Sequence, residues 1–234
     1  MTIRQNKFPI EDLIVPKNVL LSVYYKDNLP VLINGILEVN PEVIFYSTGG
    51  TGKAVKSIVG EFSKNYISVE DFTKFPEMEG GLVKTLHPKI HGGLLGERGN
   101  PEHEKFLYDI INKLTGSRGV YFDVMVGNLY PFQEKIKEEG VSVEDARINI
   151  DIGGPTMVMA SAKNWHSVAV LTAIGQYEGF VKSLKENGGV SLKERFKLAK
   201  QAMREIAEYR TANADYFESL DFEKDVKPTL NIKK

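Results

Sequence analysis

Apolar residues along this chain fall into two spacings. Short unbroken runs rich in branched and aromatic side chains, Val19 to Tyr24, Val43 to Tyr46, Tyr121 to Val126 and Val168 to Leu171, have the length and make-up of buried strands. Between them the apolar positions recur every three or four residues, as in Leu29, Leu32, Ile33, Ile36 and Leu37, which is the spacing of one helix face. Ala54 to Val59 and Glu102 to Leu114 read the same way. Ser142-Val143-Glu144-Asp145 has the order of a helix start, and Ser191-Leu192-Lys193-Glu194 that of a capping box opening a long helix to about Leu220. Strands and helices alternate, so the chain is expected to be an α/β protein: a doubly wound parallel sheet with flanking helices and a helical C-terminal extension. A single domain over 1–234 accommodates the pattern, with an N-terminal segment at 1–17 and a loose tail at 221–234.

Composition narrows the function classes. With 42% apolar residues in 234, the chain can bury a sizeable core. Lys plus Arg is 30 against 31 for Asp plus Glu, so there is no broad basic field for nucleic acid, although a local cationic pocket for one small anion is compatible with it. The absence of cysteine excludes disulfides, thiolate zinc sites and a Cys nucleophile. No run of about 18 apolar residues occurs, and charges interrupt Met1 to Pro16, so neither a membrane span nor a signal peptide is expected and a cytoplasmic location is.

Sheets of this kind bind ligands beyond the carboxyl ends of their strands. The Thr48 to Lys53 loop follows a strand and precedes a helical pattern, so its glycines let backbone N–H groups and a helix start approach a phosphate. It is not a Walker A loop, because Ser47 and Ala54 stand where that motif needs Gly and Ser or Thr. A plain strand-to-helix turn would look the same. The stretch from Gly80 to Gly93 concentrates glycines, Lys84, Thr85, Lys89 and two histidines. His87 and His91 are spaced to share a helix face, yet no third metal ligand is evident and Pro88 is placed to start a helix, so no metal is expected. Asn128 to Phe132 follows a strand, which sets Asn128 and Tyr130 at the ligand edge, although a core aromatic with a satisfied hydroxyl is the commoner role for such a tyrosine. Asp151 sits beside Gly153-Gly154, and Lys163 near the end of a short helical stretch.

In this order the stretches STGGT (47–51), FPEMEGG (75–81), VKTLHPKIHGGLL (83–95), NLYPF (128–132), NIDIGGPT (149–156) and SAKN (161–164) resemble the IMP cyclohydrolase domain that forms the N-terminal half of the bifunctional purine-biosynthesis protein. The resemblance implies a methylglyoxal-synthase-like fold, a homodimer, no metal and no organic cofactor. It also implies a purine nucleotide substrate, 5-formamidoimidazole-4-carboxamide ribonucleotide (FAICAR), which is closed to IMP with loss of water. The transformylase half has no room in 234 residues, so a separate enzyme is expected to supply the substrate. Carried over by motif, the catalytic set falls on Lys84, Tyr130, Asp151 and Lys163, with Asp151 and Lys163 moving protons and Lys84 and Tyr130 holding the formyl oxygen. The phosphate positions fall on Ser22, Lys26, Gly50 and Thr51, with Thr85 nearby; Thr48, Asn128, Gly153 and Gly154 complete the substrate-binding set. The chain departs from the family in two places: Leu82 replaces an arginine, and Ser22-Val23-Tyr24-Tyr25-Lys26 replaces S-x-S-D-K. Either phosphate affinity falls, or Lys53, Lys89 or another cation substitutes, or the ligand has changed. The competing reading is a methylglyoxal-synthase-like lyase of a phosphorylated metabolite, or a regulatory binding domain.

Overall fold

The computed structural model describes residues 4–60, 63–76 and 78–233. Glu77, within the FPEMEGG stretch, lies outside the described residues. Strands β1 (Leu13–Ile14) and β2 (Asn18–Leu21) lead into helix α1 (Leu29–Val39), strand β3 (Ile44–Ser47), helix α2 (Gly49–Val59), strand β4 (Tyr66–Ser68) and helix α3 (Val69–Thr73). Helices α4 (Pro88–Leu95), α5 (Pro101–Lys105) and α6 (Ile111–Thr115) follow, then strand β5 (Val124–Val126) and helices α7 (Phe132–Lys135), α8 (Val143–Ile148) and α9 (Gly153–Lys163). Strand β6 (Ala169–Leu171), helix α10 (Tyr177–Asn187), strand β7 (Val190–Ser191) and helix α11 (Leu192–Glu218) complete the order.

Five strands form a parallel sheet in the order β4-β3-β2-β5-β6. The chain therefore builds outward from β2 in one direction, then returns to build from β2 in the other. The reversal between β2 and β5 leaves a crevice beyond their carboxyl ends, the usual ligand position in such sheets. Side chains of β2 alternate between two cores: Val19 and Leu21 face one, Leu20 the other. The first core receives Leu29, Leu32, Ile33 and Ile36 of α1 and Phe180, Val181 and Leu184 of α10. The second receives Ile90 and Leu94 of α4, Met157 and Val158 of α9, and Ala199, Ala202 and Ile206 of α11. This is the doubly wound arrangement expected from the alternating pattern.

Differences from the sequence reading are local. The glycine turn at Thr48 to Lys53 is shorter than expected, because α2 already begins at Gly49. Edge strand β4 has only half-buried residues and no apolar run to announce it. The N-terminal segment is clasped: β1 pairs antiparallel with β7, and the fully buried Arg195 guanidinium donates to the carbonyls of Glu11, Asp12, Trp165, His166 and Val190. Burial lowers the Arg195 pKa to about 10, which the Asp12 and Glu11 carboxylates only partly oppose. At the other end, Phe222–Val226 and Lys227–Thr229 form exposed helical turns where irregular chain was expected. Ser191 caps α11 through Glu194 N, but the Glu194 carboxylate accepts from the Ser183 hydroxyl instead of closing the box.

Candidate active site

The segments after β2, β3 and β5 surround a cavity of about 600 Å³ at the carboxyl edge of the sheet. Ser22 and Tyr24 come from the first, Thr48 from the second, Asn128 and Tyr130 from the third; Lys84 and Thr85 enter from the loop before α4, and Asp151, Gly153 and Gly154 from the start of α9. Of the thirteen positions proposed from sequence, nine thus share one cavity. Lys26, Gly50 and Thr51 lie at its margin, and Lys163 lies elsewhere.

The first loop is held by its neighbours. Asn128 Oδ1 accepts from the amides of Tyr24 (2.7 Å) and Tyr25 (2.9 Å), and its Nδ2 donates to Tyr25 O at 2.8 Å. The Thr51 hydroxyl accepts from Val23 N and donates to Val23 O. Asn128 and Thr51 therefore shape the loop, and the buried Thr51 hydroxyl is committed there rather than facing a ligand. Next to them the start of α2 has no side-chain cap, which leaves its first amide groups for an anion. A Cβ placed on Gly49 would lie 3.9 Å from the Lys84 ammonium, and one on Gly50 3.9 Å from that of Lys26. Two cations thus flank an uncapped helix start, a combination suited to phosphate.

Lys26 is the exposed member of that pair, its Nζ donating to Tyr24 O at 3.0 Å. Lys89, one of the cations expected to substitute for the missing arginine, does not reach the site: it is fully buried, and its Nζ donates to Phe72 O and Ser117 Oγ, both at 2.6 Å. Burial, and then Lys74, lowers its pKa to about 8. His87 caps α4, its Nδ1 accepting from Lys89 N. Among the described residues no group of three or more His, Cys, Asp or Glu is placed to hold a metal, and no helix is long and apolar enough to cross a membrane.

Before α9, Asp151 Oδ1 accepts from Gly154 N at 3.0 Å, and its own amide donates to the Tyr209 hydroxyl of α11 at 2.7 Å. Burial raises its pKa, which the Gly154 and Gly153 amides only partly oppose. Gly154 is required here, because a Cβ would lie 2.3 Å from Asp151 Oδ2. Tyr130 packs edge-on against Tyr24 with ring centroids 4.7 Å apart. Burial, and then Tyr24, raises the Tyr130 pKa, so its hydroxyl is a donor at neutral pH. Lys163 is exposed at the far end of α9, whose 11 residues separate its ends by roughly 15 Å at a rise of about 1.5 Å per residue.

Sequence reasoning missed Tyr209 and Glu70, which meets Lys84 at 2.7 Å. Each approaches its partner from a distant segment, and neither carries a local motif; only the start of α11 hinted that one of these elements was well anchored.

Comparisons with known proteins give the family. A family model described as MGS-like domain matches residues 37–156, and one described as AICARFT/IMPCHase bienzyme matches residues 161–234. The bifunctional purine biosynthesis protein PurH of Ligilactobacillus salivarius is 42% identical over 200 residues, 86% of this chain and 36% of that protein. PurH of Bacillus subtilis is 40% identical over 210 residues, 89% of this chain and 38% of that protein. The chain thus spans less than half the length of these relatives. The crystal structure of ForH superposes with a TM-score of 0.65 at 23% identity, covering 86% of this chain and 98% of ForH, a likeness of fold. The chain therefore belongs to the MGS-like domain family, and the relatives it matches are bifunctional purine-biosynthesis proteins.

Proposed function

We propose that this chain is an enzyme of purine biosynthesis, an IMP cyclohydrolase that closes FAICAR to IMP. The observation that carries the reading is the gathering of Lys84, Tyr130 and Asp151 in one cavity beside an uncapped helix start flanked by two ammonium groups. The carboxamide nitrogen attacks the formyl carbon and gives up one proton; the formyl oxygen becomes a hydroxyl. That hydroxyl then leaves as water with the proton of the former formamide nitrogen, forming the C=N bond of the new ring. No electrons are exchanged with a redox partner and no group donor is consumed. Because both reacting groups belong to one molecule, the protein's work is to hold their geometry and move protons.

The residues divide that work. Asp151, with its pKa raised by burial, is a stronger base than an exposed carboxylate and accepts the carboxamide proton. Tyr130 donates to the developing oxyanion, and Lys84 supplies positive charge to it from the α2 side of the cavity. Lys26 and the α2 amides take the phosphate. Within one chain Lys163 is far from this chemistry, so the proton-transfer role assigned to it requires a second copy to present it. A homodimer is part of this reading, as is a cytoplasmic location.

Replacement of Asp151 by Ala is expected to lower kcat by about a hundredfold or more, the size of a general-base contribution, and Tyr130→Phe by about tenfold or more. Wild-type turnover in Asp151→Ala would remove the assignment. One feature favours the rival reading: Leu82 and Tyr24 stand exposed at the cavity where a cation and a small hydroxyl were expected. A lyase would release methylglyoxal and phosphate from dihydroxyacetone phosphate, so assaying both substrates on one preparation separates the two activities.

A further inference from the structure

The Lys84 ammonium is met by a carboxylate that takes no part in the proposed chemistry. Glu70 Oε1 lies 2.7 Å from Lys84 Nζ, with the lysine side chain 14% and the glutamate side chain 35% exposed. Water screens this pair less than a fully exposed one such as Lys64–Glu42, where both side chains are more than 70% exposed. Glu70 also rests on a firm base. Helix α3 is capped by the Ser68 hydroxyl, which accepts from Asp71 N at 3.0 Å, and the buried Lys89 ammonium holds the helix end at Phe72 O. Lys84 comes instead from an exposed segment in which Gly80, Gly81 and Val83 all have positive φ. A flexible four-carbon side chain on such a segment needs an external restraint to hold one rotamer.

The charge pattern gives the same direction. Lys26, Lys84 and the positive end of α2 converge at Gly49 and Gly50 and repel one another. A carboxylate on the outer side of Lys84 offsets that repulsion and keeps the ammonium at the cavity edge.

We propose that Glu70 is a positioning residue, which holds the Lys84 ammonium against the α2 side of the cavity in the orientation in which it meets the substrate. The inference rests on the ring-closing reading above. Glu70 does not line the cavity and acts only through Lys84.

A double-mutant cycle on the full chain tests this. Glu70→Gln keeps the shape and removes the charge; it is expected to lower kcat/KM about tenfold in the wild-type background and to leave the residual rate of Lys84→Ala unchanged. An equal loss in both backgrounds would mean that Glu70 supports the fold and not Lys84, and no loss in either would mean that the pair has no role; each result overturns the proposal. A readout independent of turnover is the acylation rate of Lys84 by acetic anhydride, followed by peptide mass spectrometry with Lys53 as internal reference. Loss of the carboxylate is expected to raise it about threefold or more, since the paired ammonium form does not react. A chain that makes no IMP defeats the ring-closing reading, whereas unchanged Lys84 labelling in a chain that does make IMP defeats this one.

Discussion

Asp151 carries two demands that conflict. Its carboxylate accepts from Gly154 N in the first turn of α9 while burial raises its pKa, so the charged form costs the folded protein stability. A carboxyl with a raised folded pKa contributes stability below its unfolded pKa and loses it as pH rises through the folded value. Asp151→Asn, which keeps an oxygen to accept from Gly154, is therefore expected to raise the Tm at neutral pH, to lose that advantage in acid, and to abolish turnover. A melting series across pH checks the sign: a lower Tm than wild type at neutral pH would contradict it. The same charge requirement gives a fall in wild-type turnover as pH drops through the raised Asp151 pKa. Val83 is a second case. Its φ of 57° is costly for a β-branched residue, by about 1–3 kcal/mol, and it directly precedes Lys84. Val83→Gly is expected to raise the unfolding free energy measured by chemical denaturation, by up to about 1 kcal/mol after the entropy cost of glycine, and to lower kcat because Lys84 gains freedom.

At the scale of elements, α11 is more than a cover for the sheet. It buries Ala199, Ala202 and Ile206 against the second core, and one turn further on it extends Tyr209 to the amide of Asp151. Tyr209→Phe is expected to lower kcat severalfold with a stability loss of about 1 kcal/mol, the usual worth of one hydrogen bond, measurable by parallel kinetics and denaturation. What was legible in the sequence follows the same division. Strands β2, β3 and β5, and the edge strand β6, are buried on both faces and so appear as apolar runs. Edge strand β4 and the β1–β7 pair are short and only partly buried, and no periodicity marks them. The glycines of 49–52 suggested a turn because their composition resists helix, yet an uncapped helix start beside a ligand site tolerates them. Most of the candidate site was legible because motifs carry residue order into a shared strand edge. The Glu70 and Tyr209 contacts were not, since they depend on how distant elements pack, and Lys89 read as a candidate phosphate cation because nothing local foretold its burial.

For the whole molecule, the side chains around the cavity are as informative as those inside it. Leu82, Val83, Ile148 and Ile152 are each more than half exposed, an apolar rim beside a polar site. The homodimer proposed with the ring-closing reading gives a concentration-dependent mass by light scattering, with the dimer dominant at micromolar protein and weakened by Ile152→Lys. A monomer at every concentration would contradict it and would leave Lys163 without a way into the site. The central claim is the chemistry of the cavity, and it is tested most directly by mixing FAICAR with excess protein, with no donor or redox partner, and following the ultraviolet absorbance of IMP over a single turnover. The account predicts IMP formation well above the uncatalysed rate, lost in Asp151→Asn. Formation no faster than the uncatalysed rate, with the folded chain in saturating excess over substrate, would contradict it.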